Sequence, residues 1–147
     1  NDGFEDVVKD PNCLRSRAKV QLGAAYAGVA IENSMLGAAH AAANPLTAHC
    51  GVVHGQAVGG MIPHVIEFNK QDNEIRAIYE ELYPGDLAAR VTELMGMLGM
   101  AKEISGFGIK EGLIDTMSTE AAGQWTADFN PRRVDYNDFR ELYMAAM

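Results

Sequence analysis

Apolar and polar positions alternate with a helical period along almost the whole chain. Asp10-Pro11 reads as a helix start, an acceptor side chain followed by a Pro whose missing N–H costs nothing at the first helical position. From there Leu14, Ala18, Leu22, Ala25, Val29, Leu36 and His40 recur at three- and four-residue steps, with one seven-residue step, as one face of a long helix. Arg15, Arg17, Lys19 and Gln21 take other angles and face solvent near its start. Gly23, Ala24, Ala27, Gly28 and Ala30 leave little bulk on any side, so neighbouring helices can approach closely. Glycine lowers helix propensity, so packing gains are expected to offset it, and this pattern predicts a central element. Asn44-Pro45 is expected to stop it, because the residue before Pro is pushed out of the α region.

The segment PLTAHCGV then reads as a short connection. A second helix is expected from His54-Gly55, carrying Val58, Met61, Ile62, Val65 and Ile66 inward, with Pro63 kinking or breaking it. FNKQDN is a polar turn. Glu74 to Leu82 follows as a short helix with Ile75, Ile78, Tyr79 and Leu82 at helical spacing. Pro84-Gly85-Asp86 breaks it, and Asp86 caps a helix from Leu87 to Leu98 with Leu87, Val91, Leu94, Met95 and Leu98 as its apolar stripe. The Gly-rich stretch from Ile104 to Gly112 reads as irregular, and a helix is expected from Glu111 to Thr126 before the FNPRR turn. Asp135 caps a last helix from Tyr136 to Ala146, with Phe139, Leu142 and Tyr143 facing inward. The expected fold is all-α, a bundle of about six helices around one long central helix.

The 147 residues suffice for one domain with a real core. An apolar content of 48% with only 7% aromatic suits closely packed helices. The net charge of −8 argues against a nucleic-acid surface, since phosphate binding needs clustered Lys and Arg, and Arg132-Arg133 does not supply a cluster. Cys13 and Cys50 make no secreted disulfide framework, and the acidic N-terminus is no signal peptide, so a cytoplasmic setting is expected. Glu32, Asn33 and His40 interrupt the longest apolar run, so no membrane span is expected. The first residue is Asn1 rather than Met, which suits a piece of a longer protein.

Candidate chemistry concentrates between Met35 and Asn69, which hold all four histidines and one of the two cysteines. His40 lies on the apolar face of the long helix, open to two readings: a core histidine bonded to a carbonyl, or a ligand. His54 stands fourteen residues later at the start of the next helix. A helix, a tight connection and a second helix can bring these imidazoles to one point, which is half of a typical zinc or iron site. His49 and Cys50 are the local candidates for further ligands, although a closed structural zinc site commonly uses more cysteines and no C-x-x-C occurs here. His64, beside Pro63, is expected to pack or to face solvent.

The segment as a whole resembles the signature of the iron-dependent (group III) alcohol dehydrogenases. That family shows a His, a second His four residues on with Pro-Leu following, then a third His before Gly, and a P-x-V-x-x-F/Y-N stretch. Here His40, Pro45-Leu46, His54-Gly55 and Pro63-His64-Val65-Ile66-Glu67-Phe68-Asn69 stand in those places. GFGIKEGLIDTMSTEA and FNPRRVDYNDFRELY resemble the family's closing helices and its N-P-R turn, so the likeness covers nearly the whole chain.

The resemblance implies the later part of the all-helical C-terminal domain of the dehydroquinate synthase-like fold, over residues 1–147, without the N-terminal dinucleotide-binding domain. It implies that His40 and His54 are metal ligands for Fe²⁺ or Zn²⁺. The family's remaining Asp and His ligands belong to a D-x-x-x-H helix, which this chain lacks, so the isolated chain is expected to be inactive and to hold little or no metal. The full enzyme would move hydride between a small alcohol or aldehyde and NAD(P), and would form a homo-oligomer. The family's second His is Asn44 here, a position tied to proton transfer. Asn does not titrate near neutral pH, which leaves His49 as the nearest alternative. A non-catalytic helical binding or assembly module of the same ancestry is the competing reading.

Overall fold

The computed structural model describes residues 3–101, 103–110 and 112–147. Among the described residues it is all helical, without strands, and it divides into two compact units, Asn1–Met35 and Leu36–Met147.

The first unit pairs a short helix α1 (Phe4–Lys9) with a long one, α2 (Leu14–Ser34). The helix starts at Leu14, not at Pro11, because the Asp10 carboxylate accepts the Asn12 amide at 3.0 Å and closes a turn there. Helix α2 also ends at Ser34 and does not run on to Asn44. Two side chains in its last turn accomplish this: Asn33 donates to the Val29 carbonyl at 2.7 Å and Ser34 to the Ala30 carbonyl at 2.8 Å, competing with the backbone for those acceptors. Met35 then adopts a positive φ of 65° and the chain leaves the helical path. Nor is α2 the core element that its small residues suggested, since Ser16 is the residue it buries.

The core belongs to the second unit, and its centre is α3 (Ala38–Cys50). Ala38, Ala41, Ala42, Ala43, Pro45 and Leu46 are all buried, so this short helix is closely approached on several sides. Pro45 lies inside α3 and does not stop it. An interior Pro costs a helix about 3 kcal/mol, partly by leaving the carbonyl four residues back without its N–H. Burial of the Pro45 ring and of Leu46 against the surrounding helices offsets that cost. Gly51, at φ 65°, caps α3 in the left-handed conformation, its N–H returning to the Thr47 carbonyl at 3.1 Å.

Helix α4 (His54–Asn69) packs on α3 and runs through Pro63 without interruption. Helix α5 (Asn73–Leu82) is capped by Asp72, and α6 (Leu87–Met97) by Asp86 as expected. Ala88 and Met95 form the buried side of α6, while Leu98 is exposed; in α5 only Ile75 is buried and Ile78 and Leu82 face outward. A 3₁₀ turn (Ile104–Phe107) inserts the fully buried Ile104 into the Gly-rich stretch. The expected start of the next helix at Glu111 lies outside the described residues, and α7 covers Leu113–Ala122. Gly123 ends α7, and a second 3₁₀ turn (Trp125–Phe129) replaces its expected extension to Thr126.

Helix α8 (Tyr136–Ala146) begins with a capping box between Asp135 and Asp138 and buries Phe139, Leu142 and Tyr143, as its sequence predicts. Helices α3 and α7 pack together, α7 and α8 pack together, and α4 contacts α6 and α8.

Candidate metal centre

His40 occupies the first turn of α3, and His54 is the first residue of α4. Residues 51–53 connect the two helices: the left-handed Gly51 turns the chain and Val53 is the N-cap of α4. The two imidazole rings stand 5.5 Å apart between centroids, inclined at 48°. Two imidazoles sharing one ion, each nitrogen about 2.1 Å from it, place their ring centres roughly 5 Å apart. The pair therefore fits two positions in the coordination sphere of one ion. His40 is half-buried and His54 exposed. Burial, and secondarily the neighbouring His54, hold the His40 imidazole below its ordinary value, so it stays neutral and able to ligate to lower pH.

These two rings are as far as the local donor set goes. Among the described residues no group of three or more His, Cys, Asp or Glu gathers where it could hold a metal ion. His49 lies nine residues beyond His40 on α3, about half a turn around the helix. Its Nε2 is 2.8 Å from the Glu120 carboxylate on α7, a pairing that directs it to that helix. Cys50 is half-buried with its thiol pushed up by burial, the reverse of a metal-binding thiolate. His64 is half-buried, held below its usual value by that burial, and borders a shallow groove with Glu67, Asp138 and Glu141.

Asn44 lies one turn beyond His40 on the same side of α3. Its Nδ2 donates to Gln124 Oε1 at 3.0 Å, across to the segment leading into the second 3₁₀ turn. That bond fixes the amide and leaves Oδ1 as its acceptor.

Sequence reasoning passed over a buried clasp further along the same helices. Asn130 Nδ2 donates to Asn69 Oδ1 at 2.8 Å and to the Arg132 carbonyl at 2.6 Å. Asn69 Nδ2 donates to the Tyr79 hydroxyl at 3.0 Å and, more weakly, to Asn130 Oδ1 at 3.4 Å. The Arg132 guanidinium lies over the Phe68 ring, 3.7 Å from its centroid, and donates to the Phe68 carbonyl at 2.7 Å. Both asparagines follow a phenylalanine, Phe68-Asn69 and Phe129-Asn130, and the fold brings the two asparagines together.

The all-helical fold is shared with solved alcohol dehydrogenase structures. An alcohol dehydrogenase from Oenococcus oeni superposes with a TM-score of 0.87 at 24% identity, over 97% of this chain and 41% of that one. A 1,3-propanediol oxidoreductase superposes with a TM-score of 0.84 at 22% identity, over 99% of this chain and 44% of that one. The chain belongs to the Fe-containing alcohol dehydrogenase family, whose C-terminal domain model matches residues 1–147. Among named relatives, aldehyde-alcohol dehydrogenase 2 of Entamoeba histolytica is 33% identical over 100 residues, covering 66% of this chain and 11% of that protein. The 1,3-propanediol dehydrogenase of Klebsiella pneumoniae is 27% identical over 146 residues, covering 90% of this chain and 38% of that protein. The chain thus spans less than half the length of each of these relatives.

Proposed function

We propose that residues 1–147 contribute two histidine ligands, His40 and His54, to the metal centre of an NAD(P)-linked alcohol dehydrogenase that interconverts a small alcohol and its aldehyde or ketone. The observation that carries the reading is the 5.5 Å approach of these two rings from different helices, within a chain that matches the family over its full length. A divalent ion bound there, Fe²⁺ or Zn²⁺, supplies Lewis acidity toward an alcohol or carbonyl oxygen. The chain's own residues hold and orient. His40 and His54 act as neutral imidazole donors.

Asn44 carries out no proton transfer, because an amide does not titrate near neutral pH. With Nδ2 committed to Gln124, its Oδ1 is the group suited to accept a hydrogen bond from a substrate hydroxyl. In this reading the remaining ligands and the nicotinamide site lie outside residues 1–147. Residues 1–147 alone are accordingly inactive in alcohol oxidation and bind metal weakly. A cytoplasmic, homo-oligomeric enzyme without nucleic-acid or membrane partners completes the proposal. No described helix is long and apolar enough to cross a membrane.

Zinc titration of the chain, followed through histidine ring NMR signals, tests this. The His40 and His54 signals should respond together, and either His40→Ala or His54→Ala should abolish the response. A His49→Ala, Cys50→Ala double variant should leave it unchanged. Zinc binding that survives His40→Ala but not the double change would sink the assignment.

A further inference from the structure

We propose that Asn130 is a positioning residue for His40, acting through the first turn of α3; its bearing on metal binding rests on the reading of His40 and His54 as ligands. Helix α3 opens with Gly37, which has no side chain to cap it. The first amide of the helix, the buried Ala38 N–H, is instead met from ninety-two residues away by Asn130 Oδ1 at 3.3 Å. Asn130 is itself buried and fully engaged. Its amide nitrogen is committed to Asn69 Oδ1 and the Arg132 carbonyl, so its oxygen is held facing Ala38.

His40 is two residues beyond that contact, and its own N–H returns to the Gly37 carbonyl at 3.1 Å. The turn that carries the ligand is therefore closed by Gly37 from within and by Asn130 from outside. The same asparagine grips Asn69, the last residue of α4, whose first residue is His54. One side chain thus ties the His40 end of α3 to the helix that carries the other imidazole. Gly37 fits this arrangement sterically: a Cβ added there would lie 3.2 Å from Asn130 Oδ1.

The variants Asn130→Ala, Asn130→Asp and Gly37→Ala, made in the full 147-residue chain, test the assignment by two readouts. The first needs no metal. In the wild type the His40 and His54 ring protons should show a nuclear Overhauser effect and the Ala38 amide should exchange slowly. In Asn130→Ala the ring effect should vanish and Ala38 exchange should accelerate. Asn130→Asp keeps an acceptor but replaces Nδ2, the donor to Asn69 and to the Arg132 carbonyl, with a second oxygen that those acceptors repel, so Ala38 exchange should accelerate there too.

The second readout is zinc affinity. It should fall about ten-fold in Asn130→Ala, the scale expected when a ligand's support is lost, and fall in Asn130→Asp as well. On a His40→Ala background, where no zinc response remains, Asn130→Ala should still lower the melting temperature. Retained ring proximity and Ala38 protection in Asn130→Ala would overturn the proposal. So would an Asn130→Asp chain that keeps wild-type ring proximity and zinc affinity. Gly37→Ala crowds the same oxygen and should show part of the Asn130→Ala effect, which keeps the test intact if Asn130→Ala does not fold. A wild type whose histidine signals ignore zinc would refute the metal reading alone, with the clasp still judged by ring proximity and Ala38 exchange.

Discussion

The Tyr143 hydroxyl donates to the Ala42 carbonyl at 2.7 Å, joining the last helix to α3 across 101 residues. The contact lies on the turn of α3 that Pro45 weakens, one residue past the Ala41 carbonyl whose helical N–H partner Pro45 cannot supply. Tyr143 is fully buried and so is Phe139, one turn before it. Tyr143→Phe keeps the ring and loses the bond, so it should destabilise the chain by about 1 kcal/mol. That corresponds to a melting temperature lower by about 3–5 °C for a domain of this size. Tyr143→Ala also leaves a cavity and should cost roughly 3–5 kcal/mol. Calorimetric melts of the two variants, compared with wild type, check both the size and the order.

The same buried hydroxyl makes stability sensitive to alkali. Burial foremost, then the nearby Glu120 carboxylate, raise the Tyr143 phenol above its ordinary value. The folded state therefore favours the protonated phenol more than the unfolded chain does. That contribution is complete below the unfolded value of about 10 and is lost as pH rises above it. Denaturant midpoints should fall as pH climbs past about 10, and the fall should be shallower in Tyr143→Phe. Parallel curves for the two proteins would show that other groups govern the alkaline transition.

The capping box of α8 gives a further test. Asp135 accepts from the Asn137 and Asp138 amides, and the Asp138 carboxylate accepts the Asp135 amide in return. Asp135→Ala should cost about 1 kcal/mol, and Asp135→Asn, which keeps an acceptor, clearly less. Urea midpoints measured at neutral pH distinguish the two.

That cap, like Asp86 at the head of α6, was readable in the sequence because the information is local: an acceptor followed within a few residues by the amides it serves. The inward face of α8 was readable through helical spacing, whereas the rings of His40 and His54 approach across residues 51–53 and not across the connection expected after Asn44. What escaped was decided by competition or by distance along the chain. A long helix was expected where Asn33 and Ser34 divert two carbonyls, and a stop was expected at Pro45 where core packing outweighs the lost bond. The asparagine clasp joins residues sixty-one positions apart, and no local pattern announces such a pairing.

The last prediction concerns α2. Leu22, Tyr26 and Val29 follow one another at helical spacing and are 53%, 67% and 59% exposed. With Leu14 and Ile31 they leave an apolar helix surface uncovered in this chain. Contiguous apolar patches seldom remain in water, because covering them releases roughly 25 cal/mol for every Å² removed from solvent. The isolated chain should therefore self-associate through α2, with a mass by light scattering that grows with concentration. A Leu22→Glu, Tyr26→Glu double variant should return it to a monomer. Because the buried core is drawn from Ala38 to Ala146, the melting of that core should hardly change in the variant. A wild-type chain that remains strictly monomeric at high concentration would refute the prediction. A double variant that associates as readily as wild type would place the contact on another surface.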